Sequence, residues 1–179
     1  MSAMLHPAVF LDRDGTLMEE VNYCSDPAKV RVPADVPGAL RQLKDAGYRL
    51  VIATNQSGIG RGYYTLGDYE AVQARLFALL GEGLIDATYF SPESPETASP
   101  LRKPAPGMVL AAARDLGLDL ARSWFIGDKA IDVQCGRNAG VRAILVQTGY
   151  GRNEDATGAE FVAKDFASAA AFILKTSDA

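Results

Sequence analysis

Short runs of consecutive apolar residues alternate along this chain with longer stretches in which apolar residues recur every three or four positions. Val9-Phe10-Leu11, Leu50-Val51-Ile52-Ala53 and Trp124-Phe125-Ile126 are too short for helices and show no polar alternation, so they predict strands buried on both faces. Ala87–Phe90 and Arg142–Gln147 add two more, and Glu160–Ala163 reads as an edge strand. Between them the spacing predicts helices. Asp35 caps one that runs through Ala46, with Val36, Leu40 and Leu43 inward and Gly47 as its stop. Thr65 with Asp68 forms a capping-box pattern for a helix to about Leu80, with Leu66, Tyr69, Val72, Leu76 and Leu80 inward. A third helix opens after Pro104-Ala105-Pro106 and ends at Gly117. A fourth carries Ile131, Cys135 and Ala139 and stops at Gly140, and a closing helix spans Phe166–Lys175. The polar stretch Met18–Val32 reads as a flap or small hairpin.

Strand–helix alternation implies an α/β fold of three layers, a Rossmann-like parallel sheet with helices on both faces. Such sheets bind ligands outside the carboxyl ends of their strands. The first strand runs into Asp12-Arg13-Asp14-Gly15-Thr16. Carboxylates two apart in extended chain point the same way, and two acids held together repel unless a cation intervenes or one keeps a proton. By itself the pair suits either a metal-binding, acid/base turn or an acidic surface turn. The second strand ends in Thr54 and the fourth in Asp128, so three strand ends offer polar groups to the same edge.

Composition narrows the classes. With 179 residues, 48% hydrophobic and 22% charged, the chain fits one domain spanning 1–179. A net charge of −4 without a dense Lys/Arg run argues against nucleic acid. No apolar stretch reaches the roughly 18 residues of a membrane span, and Met1–Pro7 lacks a signal-peptide pattern. Two distant cysteines, Cys24 and Cys135, point to a reduced, cytoplasmic protein. The expected state is a monomer.

Four segments together, Asp12-Arg13-Asp14-Gly15-Thr16, Thr54-Asn55-Gln56-Ser57-Gly58, Arg102-Lys103-Pro104 and Gly127-Asp128-Lys129 with Asp132, resemble the motifs of the haloacid dehalogenase (HAD) superfamily of phosphatases. Within it, Thr-Asn-Gln-Ser-Gly-Ile-Gly-Arg-Gly and Arg-Lys-Pro-x-Pro-Gly-Met resemble the heptose-1,7-bisphosphate 7-phosphatase group, beside the histidinol-phosphate phosphatases. The resemblance implies a Mg²⁺-dependent phosphomonoester hydrolase whose partner is a small phosphorylated substrate, a sugar bisphosphate. Asp12 would be the nucleophile that forms an aspartyl-phosphate and Asp14 the acid/base. Thr54 and Lys103 would hold the phosphoryl oxygens. Mg²⁺ would take Asp12, the Asp14 backbone carbonyl and Asp128. Asp132 would orient the metal shell or Lys129. A histidinol-phosphate or broader small-phosphomonoester phosphatase is the alternative substrate reading, and a non-catalytic phosphate-binding module the alternative of a different class.

Only 42 positions separate Asp12 from Thr54 and 49 separate Thr54 from Lys103. Neither gap has room for a separate cap domain, so loops should set specificity. Glu20, Asn22 and Tyr23, then Asn55, Gln56, Ser57 and Arg61, then Arg102 and Lys129, are the candidate substrate contacts, the three cations suiting a second anionic group. The resembling group carries a Cys/His zinc site in the loop before Arg-Lys-Pro. Here the loop reads Ser91-Pro92-Glu93 and holds neither Cys nor His. Tetrahedral zinc needs such ligands, so no structural zinc is expected, and the three prolines would stiffen the loop instead.

Overall fold

The computed structural model describes residues 5–177. Six strands, β1 (Ala8–Leu11), β2 (Arg49–Asn55), β3 (Ala87–Ser91), β4 (Trp124–Gly127), β5 (Arg142–Val146) and β6 (Phe161–Ala163), form one sheet in the order β3-β2-β1-β4-β5-β6. Every pairing is parallel. Six helices, α1 (Val36–Asp45), α2 (Ser57–Gly60), α3 (Leu66–Leu80), α4 (Gly107–Leu116), α5 (Ala130–Ala139) and α6 (Phe166–Ser177), connect or close the strands. The predicted three-layer α/β architecture is therefore present. Among the described residues, no helix is long and apolar enough to cross a membrane.

The strands are apolar on consecutive residues because both faces are covered. Val9, Leu11, Ile52, Trp124 and Ile126 pack with residues of α1, α3 and α6, whereas Phe10, Val51, Phe125 and Leu145 pack with α4 and α5. All four residues of β1 are fully buried, and each large one contributes about 1.5–3 kcal/mol of transfer free energy. β1 lies between β2 and β4, where the chain reverses its direction of travel across the sheet. That reversal opens a crevice at the strand ends.

Helix ends mostly follow their sequence signals, with instructive exceptions. Thr65 and Asp68 make the reciprocal capping box of α3, and Gly117 and Gly140 close α4 and α5 in the left-handed conformation. Asp35 precedes α1 as expected but makes no cap bond to it. Its carboxylate instead accepts the Ala167 N–H at the start of α6 (3.0 Å). Leu66, expected inward, is 48% exposed. The flap 18–32 is not a hairpin. Glu19 N–H donates to the Arg31 carbonyl at its base (2.9 Å), and its only regular element is a 3-10 turn, Pro27–Lys29. Residues 92–106 contain no helix or strand. Both insertions beside the strand ends thus stay loops.

Candidate active site

Adjacent strands deliver the acids. The Asp12 N–H donates to the Ile126 carbonyl (3.0 Å), which extends the β1–β4 ladder by one residue and fixes Asp12 at the strand end. Asp128 follows β4 directly, and Asp132 sits one turn later in α5. These three buried carboxylates each present an oxygen within 4.8 Å of the others. Lys103 enters from the loop before α4. Its Nζ donates to Asp12 Oδ1 (2.7 Å) and to the Ala53 carbonyl (2.9 Å), and forms an ion pair with Asp132 Oδ1 (2.7 Å). Two hydrogen bonds and one ion pair thus hold the ammonium in place.

The charges of this group do not balance. Burial acts to raise the Asp12 carboxyl, but Lys103 outweighs it and holds Asp12 below the ordinary carboxylate range. Asp128 is pushed up to about 8 by burial and by the Asp12 charge. Asp132 is pushed up to about 6 by the same two causes, against the pull of Lys103. Asp128 Oδ2 accepts the Tyr150 N–H (2.9 Å), whereas Oδ1 is buried with no hydrogen-bond partner. Gly15 (φ +84°) and Gly149 (φ +49°) both press on this carboxylate, and a Cβ at either would run into it. Crowded carboxylates with an unpartnered oxygen are the donor set of a hard divalent cation. Asp14 lies outside the three-acid group, so any part it has in holding a cation falls to its backbone.

Asp14 belongs to a second network. Arg13 is buried and grips the Asp14 carboxylate with Nε (2.9 Å) and NH2 (3.1 Å). Gln56 Nε2 donates to Asp14 Oδ2 (2.9 Å) and to Thr54 Oγ1 (2.9 Å). Gln56 Oε1 accepts from Arg13 NH2 (3.0 Å) and the Tyr64 hydroxyl (2.7 Å). Gln56, expected to contact substrate, therefore has its amide fully committed to positioning Asp14 and Thr54. Asn55 lines both cavities at this edge and has a structural task as well. Its Oδ1 accepts the Lys103 N–H (2.9 Å) and its Nδ2 donates to the Lys103 carbonyl (3.1 Å), so it clamps the lysine-bearing loop.

Two adjoining cavities open at this edge. The inner one, about 40 Å³, is lined by Asp12, Asp14, Thr54, Lys103, Lys129 and Asp132, among others. The outer one, about 390 Å³, is lined by Glu20, Asn22, Tyr23, Ser57, Lys129 and Tyr150, among others. Glu20 faces it with a buried, unpartnered Oε2, and its carboxyl is raised by burial and by Asp14. Tyr23 has φ +51°, uncommon for a bulky residue, and its ring meets that of Tyr63 edge-on at 4.8 Å. The flap tip is thus docked on the segment after α2. Lys129 is the expected cation that lines both cavities. Arg61 and Arg102 line neither. Arg61 pairs with Glu96 (3.2 Å), and Arg102 NH1 donates to the Glu93 carbonyl (3.1 Å).

Those two arginines help to hold the loop after β3. Pro92 accepts the Gly60 N–H (2.9 Å), Ser91 Oγ donates to Glu93 (2.5 Å), and Pro100 accepts the Gly107 N–H (3.0 Å). Several residues of the site carried no functional reading in the sequence. Arg13 stood inside the first motif without a role. Tyr150 and Glu154 come 22 and 26 positions after Asp128, and only the adjacency of β4 and β5 brings them to it. Asp132 does act on Lys129, but through the backbone, by accepting its N–H (3.0 Å), while its other oxygen steadies Lys103.

Comparison with known proteins agrees with this geometry. The HAD-hydrolase-like family model matches residues 100–169. The D-glycero-D-manno-heptose-1,7-bisphosphate 7-phosphatase of Thermosynechococcus vestitus is 41% identical over 95% of this chain and 96% of its own length. The D-glycero-beta-D-manno-heptose-1,7-bisphosphate 7-phosphatase of Helicobacter pylori strain 26695 is 41% identical over 78% of this chain and 82% of its own. The crystal structure of D,D-heptose 1,7-bisphosphate phosphatase from B. bronchiseptica, complexed with magnesium and phosphate, superposes with a TM-score of 0.87 at 31% identity, covering 95% of this chain and 99% of that one. With its acids, lysine and hydroxyl converging at one crevice beyond the strand ends, the chain belongs to the heptose-bisphosphate phosphatase family of HAD-like hydrolases and is a phosphatase.

Proposed function

We propose that this phosphatase removes the 7-phosphate of D-glycero-D-manno-heptose-1,7-bisphosphate through an aspartyl-phosphate on Asp12. The observation that carries the reading is the stacking of the two cavities. A small inner one has Asp12 and Lys103 in its lining, and a wider, polar outer one shares Lys129 with it. A phosphoryl group fits the first, a polyol the second, and a second phosphate would meet a cation.

Asp12, kept ionised by Lys103, attacks phosphorus and the alkoxide leaves. Asp14 supplies the leaving oxygen with a proton, then takes one from the water that releases phosphate. Arg13 and Gln56 aim its carboxylate throughout. Thr54 and Lys103 hold phosphoryl oxygens as charge shifts during transfer. Mg²⁺ is the cation assigned to Asp12, Asp128 and the Asp14 carbonyl, and when bound it offsets the repulsion between carboxylate and phosphate. Glu20 and Asn22 face the sugar hydroxyls and Lys129 faces the second phosphate, while Arg61 and Arg102 brace the loop after β3.

The test is phosphate release with Mg²⁺ from heptose bisphosphate, fructose 1,6-bisphosphate and histidinol phosphate. Heptose bisphosphate should lead in kcat/KM by about tenfold or more, roughly 1.4 kcal/mol of differential transition-state binding. A preference for histidinol phosphate would overturn the substrate assignment.

A further inference from the structure

The loop from Thr148 to Glu154 touches the site at four places, none of which the reaction above uses. Thr148 Oγ1 donates to the Gly15 carbonyl (2.6 Å), and the Tyr150 N–H donates to Asp128 Oδ2 (2.9 Å). Glu154 Oε2 accepts the Ala130 N–H (2.7 Å), one residue after Lys129. The Tyr150 ring lies under the Lys129 ammonium, 4.7 Å from Nζ to the ring centroid. The ring is 45% exposed, so the core does not require it.

Lys129 is under opposed pulls. Glu20 lines the outer cavity with it, and Asp12 and Asp132 line the inner one with it. Yet among the described residues its Nζ forms no salt bridge, whereas Lys103 forms two. Drawn fully inward, Lys129 would neutralise the carboxylates that the cation should take. Paired with a carboxylate on the outer side, it would lose the charge a phosphate needs. An aromatic face attracts an ammonium without carrying net charge. We propose that Tyr150 is a positioning residue that holds Lys129 at the junction of the two cavities, with its full charge turned to the second anionic group of the substrate. The proposal rests on the bisphosphate reading above. Glu154 and Asp132 fix the backbone on either side, and Tyr150 sets the side chain.

The experiment compares kcat and KM for heptose 1,7-bisphosphate with those for heptose 7-phosphate. The readout is the selectivity ratio of kcat/KM between the two. In Tyr150→Leu this ratio should fall about 3- to 10-fold through KM for the bisphosphate, the range expected for a partly desolvated cation–π contact. Tyr150→Phe keeps the ring and should keep the wild-type ratio. Tyr150→Glu, which retains the backbone bond to Asp128 but neutralises Lys129, should lower the ratio at least as far as leucine does. On a Lys129→Met background, Tyr150→Leu should change the ratio no further. An unchanged ratio in Tyr150→Leu, or an equal fall in Tyr150→Phe, would overturn the proposal alone. A wild-type enzyme that handles both substrates equally would overturn the bisphosphate reading and this proposal with it.

Discussion

Replacing Gln56 by leucine keeps most of the side-chain volume and deletes the four hydrogen bonds of its amide. Arg13 retains the Asp14 carboxylate as partner. The Tyr64 hydroxyl and Thr54 Oγ1 lose the one partner each has among the described residues. Each stranded polar group costs about 1–3 kcal/mol, and Thr54 lines the inner cavity, where water can replace part of its loss. The variant should therefore be destabilised by about 2–4 kcal/mol. For a chain of this size that lowers the thermal midpoint by about 5–12 °C. Asp14 also loses one of its two anchors, and misplacement of an acid/base should lower kcat about 10- to 100-fold. Calorimetric melts and steady-state phosphate release measure both. Tyr64→Phe removes one bond of the same network and should cost about 1 kcal/mol. Combined with Gln56→Leu it should recover about 1 kcal/mol or more of the loss, because it removes the hydroxyl that the leucine strands. An unchanged melting midpoint with only KM raised would show Gln56 to be a direct substrate contact and refute the network argument.

Two further variants test other links. Asp12→Asn should lower turnover by at least about a thousandfold and abolish covalent labelling by phosphate, as expected when a nucleophile is lost. It should melt close to wild type, because Lys103 keeps Asp132 as partner; substantial activity would end the nucleophile assignment. Asp86 accepts the Leu50 N–H (2.8 Å) and pairs with Lys44 and Arg49 (3.1 Å each). Burial opposes its charge, but these partners hold its carboxyl below the ordinary value. A folded pKa below the unfolded value of about 3.9 gives stabilisation that is complete above about pH 4 and lost as pH falls through the folded pKa. Urea midpoints of wild type and Asp86→Asn should therefore differ at neutral pH and converge in acid as pH falls through the folded pKa, whereas a constant gap would disprove the linkage.

What was legible in the sequence was local. Asp12, Thr54 and Asp128 could be placed at one edge because each directly follows a buried apolar run, and parallel strands share their carboxyl ends. What depended on neighbours remote in the chain was not legible. Asn55 and Gln56 carry the same polar signal as substrate contacts, and only the positions of Lys103, 48 residues on, and Asp14, 42 back, show where their amides go. Arg61 and Arg102 are cations near the motifs, but Glu96 and the Glu93 carbonyl claim them. Helical phase placed Leu66 with Tyr69 on the inner face, yet phase says nothing about how far along a helix the core extends. Asp35 marks the start of α1 while its carboxylate serves α6, 132 positions away. The docking of the 148–154 loop follows from strand order, which periodicity does not encode.

The central place of β1 has a consequence for how the chain is made. Val9, Phe10 and Leu11 leave the ribosome well before β4, their partner on one side, which begins only at Trp124. At about 5–20 residues per second, that edge waits about 6–23 s for its mate. During that interval an apolar strand has an open hydrogen-bonding edge, the condition that invites capture by chaperones or by other nascent chains. The acids of the site share the delay, since Asp12 meets Asp128 only when β4 docks, and Tyr150 follows later still. Turnover in this protein therefore waits for β4, and the appearance of phosphatase activity during translation would time its docking on β1.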